Sequence, residues 1–139
     1  MKTIETLFLE NESKFAFAET VEKLIAEIEN KGWKLSAVHD LQETLSKFGT
    51  DVLAVKVFAL CHPKHSSKIL TRDDERIVSS LMPCRISVYE KSNGKTYISR
   101  LNSGLLAQSI GGIIEEVMSA STRDVEDILV PLISNSNQQ

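Results

Sequence analysis

The dipeptide Asn93-Gly94, set between two alternating runs, is the feature that most limits what this chain can fold into. Both residues tolerate positive φ, so a tight turn there predicts an antiparallel hairpin of residues 84–91 with residues 95–101. Pro83 stands just ahead of the first strand, where a missing N–H is tolerated. Everything else in the chain has to supply partners and cover for that hairpin.

Three further strands are legible. Residues 3–10 alternate Ile4, Thr6 and Phe8 against Glu5, Leu7 and Leu9, with residues 11–14 as a polar turn. Trp33, Leu35, Ala37 and His39 alternate with Lys34, Ser36, Val38 and Asp40. Residues 51–61 (DVLAVKVFALC) are the most continuously apolar, which suggests a central strand ended by Pro63. Between the first two, Val21, Leu24, Ile25 and Ile28 form the stripe of an amphipathic helix over residues 19–31, stopped by Gly32. Asp40 is suited to cap a short helix over residues 41–48, closed by Gly49.

Residues 64–82 read as a crossover with helical stretches at 66–70 and 74–81. After the hairpin, Leu105, Leu106, Ile110, Ile113, Ile114, Val117 and Met118 outline a helix interrupted by Gly111-Gly112, at about 1 kcal/mol per glycine. A last helix is expected over residues 122–133, with Asp124 and Glu126 in its first turn. The order implies an α+β fold: a mostly antiparallel sheet of about five strands, packed on one face by two long helices. A short crossover helix and an extra C-terminal helix complete it. Residues 1–133 read as one domain and residues 134–139 as a disordered tail.

Net charge is −3 over 139 residues, and Lys and Arg are scattered, so the basic face of a nucleic-acid binder is missing. No run approaches the roughly 20 apolar residues of a membrane span, nor the apolar core of a signal peptide. The chain therefore reads as cytoplasmic, with its two cysteines reduced.

FAETVEKLIAEIENKGW, AVHD, VKVFALCHP and MPCRISVYE followed after three residues by GKTYIS occur here in one order and spacing. Together they resemble the domain-of-unknown-function 302 family across residues 15–106. The resemblance implies a strand–helix–four-strand–helix fold of the TATA-binding-like and helix-grip type, often homodimeric, with no established activity. Many members resemble the pattern with apolar residues in place of the cysteines, so Cys61 and Cys84 would mark a subset.

Candidate chemistry centres on those thiols. Cys61 closes one strand and Cys84 opens the next, so antiparallel pairing brings them to one sheet edge. Alternation is expected to set Leu53, Val55, Val57, Ala59 and Cys61 on the helix-facing side with Cys84, Ile86 and Val88. Three readings follow: buried thiols acting as apolar side chains, a metal site, or a reversible dithiol. In the metal reading Cys61, Cys84, His65 and His62 are the ligands, of a softness suited to zinc or another soft transition metal. His62 is expected to point away from Cys61, while His65 sits in a loop free to turn. His39 reads as a surface or packing histidine.

Arg85 and Arg100 are expected on the sheet face away from the helices, near Ser87, Tyr89, Thr96 and Ile98. That mixture suits a dimer interface or a shallow site for an anionic ligand. No GxSxG, HExxH, P-loop or GxGxxG motif is present, so whether the chain is an enzyme rests on the Cys–His group alone. The expected function is a small binding module holding a metal ion or small ligand near Cys61 and Cys84. The alternatives are a thiol-dependent redox or transfer enzyme, or a homodimeric interaction protein with structural cysteines.

Overall fold

The structure, a computed structural model, describes residues 7–134. Five strands form one antiparallel sheet: β1 (Phe8–Glu12), β2 (Lys34–Asp40), β3 (Val55–Cys61), β4 (Cys84–Glu90) and β5 (Thr96–Leu101), in the order β1-β5-β4-β3-β2. The long helices α1 (Phe17–Asn30) and α5 (Gly112–Leu129) cover one face. Three short helices lie at the margins: α2 (Leu41–Lys47), α3 (Pro63–Leu70) and α4 (Ser103–Ala107), with a 3₁₀ helix at Glu75–Leu81. This is the expected α+β sandwich.

Local chemistry accounts for most boundaries. Helix α1 ends in a Schellman motif, with Trp33 N–H donating to the Ile28 carbonyl and Gly32 N–H to that of Glu29. Gly32 supplies the left-handed residue the motif needs, at φ 82°. The Asp40 carboxylate accepts from Glu43 N–H at 2.9 Å and caps α2. Pro63 ends β3 and also serves as the first residue of α3, where its missing N–H leaves no helix bond unmade.

The hairpin differs from the two-residue turn expected of Asn93-Gly94. Glu90 pairs with Thr96, leaving residues 91–95 as the loop. Gly94 N–H donates to the Lys91 carbonyl and Lys91 N–H to that of Lys95. Only Gly94 takes positive φ, at 83°, so the connection is a turn followed by a glycine bulge. Asn93 contributes through its side chain instead, accepting from Lys95 N–H at 2.9 Å.

Other expectations shift as well. Strand β1 runs through Glu12, so Asn11 and Glu12 are strand residues and not a turn; residues 3–6 of the expected strand lie outside the described residues. β3 is an inner strand, while the middle of the sheet is β4. The C-terminal break falls at Gly111 (φ 73°) and Gly112 (φ 62°), and α5 then continues without a restart at residue 122. Ser134, expected in a loose tail, donates its N–H to the Glu12 carbonyl at 2.8 Å, while residues 135–139 lie outside the described residues.

The main core joins Phe58, Leu60, Ile86, Val88 and Ile98 of the sheet to Leu24 and Ile28 of α1 and Ile128 and Leu129 of α5. A second apolar cluster, around Ile69, Val78, Ala107, Val117 and Met118, lies between α3, α4 and the first half of α5. No helix among the described residues is long and apolar enough to cross a membrane.

Candidate functional site

The strand register decides which side chains reach the helix-covered face. Leu60 of β3 pairs with Cys84 of β4 and Phe58 with Ile86. Cys84 therefore shares its face with Leu60, and strand alternation turns Cys61 the other way at the end of β3. This corrects the expectation that both thiols share the helix face. The Cys61 sulfur instead lies 3.5 Å from Ser66 Oγ at the start of α3. Both cysteines are free thiols. Burial pushes the Cys84 thiol up to about 11, with the neighbouring Cys61 adding to the effect.

Arg100 is likewise on the helix side, not the open side, together with Thr96 and Ile98. A two-residue turn at Asn93-Gly94 would have set Ser87 opposite Arg100; the longer loop sets Ile86 there. Its guanidinium is buried and forms a fork onto Glu126 of α5, Nε to Oε2 at 2.8 Å and Nη2 to Oε1 at 2.5 Å. Nη1 donates to Asn11 Oδ1 at 2.7 Å. Arg85 stays exposed on the open face, opposite Ala59. There Tyr89 donates to Glu10, Lys91 Nζ reaches Glu10 at 3.1 Å, and Tyr89 stacks on Tyr97. Burial and the bond to Glu10 raise the Tyr89 phenol above its ordinary value.

A cavity of about 520 Å³ opens where the two apolar clusters meet. Leu60, Val125, Ile69, Val117 and Met118 supply apolar wall, drawn from both clusters. Cys61, Cys84, Arg85, Arg100, His62 and His65 all line it. The residues singled out in the sequence thus gather around one space, although on different walls.

The histidines form their own group. His62 caps α3, its Nδ1 accepting from Lys64 N–H at 3.3 Å, and His65 follows in the first turn. The expected loop at His65 is therefore helix. Its Nε2 lies 2.7 Å from Asp124 Oδ2 on α5. The two imidazole centroids are 4.6 Å apart, and Trp33 packs edge-on against His62 at 5.3 Å and tilted against His65 at 5.9 Å. Burial pulls His62 below the usual histidine value, and the adjacent His65 adds to this. The Trp33 indole N–H is buried with no acceptor among the described residues.

Among the described residues, the ligating atoms that approach within 4.8 Å of one another are those of His62, His65 and Asp124. Neither thiol joins that set. From the sequence Asp124 stands out only as an acid in the first turn of a helix. The available signal was its spacing, three residues after Ser121 and seven after Val117, which puts it beside the buried side of α5. His39 lies near the end of β2, away from this group.

The family model described as "Domain of unknown function DUF302" matches residues 9–134. The chain belongs to the DUF302 family. A crystal structure of an uncharacterized conserved DUF302 protein from Bacillus stearothermophilus aligns with a TM-score of 0.79 at 19% identity. That alignment covers 88% of this chain and 95% of the other, so the two share the DUF302 fold. No curated protein matches the chain.

Proposed function

We propose that this DUF302 chain is a small-ligand binding module whose ligand lies in the cavity beside Cys61 and Cys84. The cavity itself carries the reading: about 520 Å³ falls within the range of small-molecule sites, and the walls are mainly apolar with a few polar groups. Each 100 Å² of apolar ligand surface buried there contributes about 2.5 kcal/mol. Arg100 already holds Glu126 and Asn11, so its charge is answered within the protein. The favoured ligand has an apolar body and one or two neutral hydrogen-bonding groups. Saturation-transfer NMR with a fragment library tests this. Fragments should bind the wild-type chain and lose their signal when Ser121→Phe fills the cavity in a folded protein. Equal binding to both proteins, or none to either, refutes the reading.

Self-association is a second reading, favoured by α2. No residue of that helix is buried, and Phe48 after it is 82% exposed. Leu41, Leu45, Leu53 and Val38 of the edge strand β2 are also exposed. Sedimentation velocity should show a homodimer that Phe48→Glu dissociates; a wild-type monomer at all concentrations refutes it. A thiol-enzyme role for Cys84 has less support, because burial pushes its thiol up to about 11 and keeps it protonated at neutral pH.

A further inference from the structure

We propose that His62, His65 and Asp124 form a site for one divalent transition-metal ion of the zinc class, with coordination positions left open. The site adjoins the cavity, whose wall includes both histidines, and the ligand reading above needs no metal.

The three ligating atoms already lie within 4.8 Å of one another, although Asp124 is 59 positions from His65 in sequence. Two imidazoles and one carboxylate are the donor set of open zinc sites, where water or a bound molecule completes the shell. In the structure a hydrogen bond joins His65 Nε2 to Asp124 Oδ2 at 2.7 Å. Around a tetrahedral zinc ion with bonds of about 2.0–2.1 Å, the same two atoms stand about 3.3 Å apart. The required opening of that pair is about 0.6 Å, and the His62 nitrogen, within 4.8 Å of both, closes by at most about 1.5 Å; a carboxylate that is 42% exposed has room for such a shift. The His62 cap contact to Lys64 N–H, at 3.3 Å, is long, so releasing that nitrogen or shifting the tautomer disturbs α3 little.

Positioning is supplied by the surrounding structure. His62 and His65 sit on one helix start, α3 packs on α5, and Trp33 braces both rings. The half-exposed carboxylate gives an ion a path from solvent, while the imidazoles form part of the cavity wall. The soft-ligand set expected from sequence changes accordingly: both histidines remain, and Asp124 replaces the two thiols.

The test uses the full chain without a histidine tag, stripped with chelator and titrated with zinc by calorimetry. Expected is saturable binding of one ion per chain. Asp124→Asn, which keeps a hydrogen-bond acceptor for His65, should weaken it at least about tenfold. Cys61→Ser and Cys84→Ser should leave it unchanged. In parallel, long-range proton–nitrogen NMR of the wild-type chain should show zinc shifting the ring nitrogens of His62 and His65 but not His39. That readout stands even where a variant fails to fold. Absent binding, affinity that follows the cysteines, or unmoved His62 and His65 resonances would overturn the proposal and leave a His–Asp hydrogen bond.

Discussion

Neutralising Glu126 should destabilise the fold more than removing the arginine it binds. The Arg100 side chain is 5% exposed and that of Glu126 34%, so the two ends of the fork sit in different dielectric surroundings. Glu126→Gln leaves the buried guanidinium with neutral acceptors, the new amide and Asn11 Oδ1. Losing one partner of a fully buried pair costs about 3–5 kcal/mol. Glu126 is a third exposed and the cavity beside it admits water, which reduces the expected loss to about 2–3 kcal/mol. Arg100→Met leaves behind the carboxylate that can turn toward solvent, and its expected loss is about 1–2 kcal/mol. Converting both, as Arg100→Met with Glu126→Leu, should recover much of the loss because no charge stays buried alone. Urea unfolding followed by the fluorescence of Trp33, the single tryptophan, and by circular dichroism measures all three. A Glu126→Gln loss smaller than that of Arg100→Met would refute the argument, since it would put the costly charge on the wrong partner.

Two further outcomes are specific. Cys84, raised from 9.0 to about 11 in the folded chain, contributes stability that is complete below pH 9 and lost as pH rises through 11. The wild type should lose about 1.4 kcal/mol relative to Cys84→Ala by pH 10; a pH-independent difference between the two unfolding curves would contradict this. Gly111 holds φ 73° and ψ −169°, a region open essentially to glycine, and a Cβ there would meet nothing within 4 Å. Gly111→Ala should therefore cost about 1–3 kcal/mol through the backbone alone, and an unchanged thermal midpoint would show that the break is not strained.

Elements whose ends carry their own chemistry were legible from the sequence. Gly32, Asp40, Gly49 and Pro63 punctuate the structure where local rules place them. Side-chain facing was not, and both misplacements trace to a single residue of register. Aligning Cys61 with Cys84, in place of Leu60 with Cys84, turns β3 over. Reading Asn93-Gly94 as a two-residue turn does the same to β5, and so put Arg100 on the open face. Alternation gave no protection in β5, because Thr96, Ile98 and Arg100 mix polar and apolar residues, as do Tyr97, Ser99 and Leu101. The buried fork from Arg100 to Glu126 is a tertiary pairing that no local pattern encodes.

Topology explains why the chemically capable residues gather at one end of the molecule. β3 finishes and β4 begins at the same end of the sheet, and antiparallel pairing brings Cys61, His62 and Cys84 there however long the crossover is. β5 runs back against β4 and delivers Arg100 to that end. The crossover lays α3 against α5, which carries His65 to Asp124 and leaves Glu126 facing Arg100. The opposite end holds the hairpin loop at residues 91–95, with the Lys91–Glu10 ion pair nearby. A ligand in the cavity at this end would touch β3, β4, β5, α3 and α5 at once, whereas an ion held by His62, His65 and Asp124 would tie the start of α3 to α5. A substitution at the hairpin end, such as in residues 91–95, should leave that binding untouched.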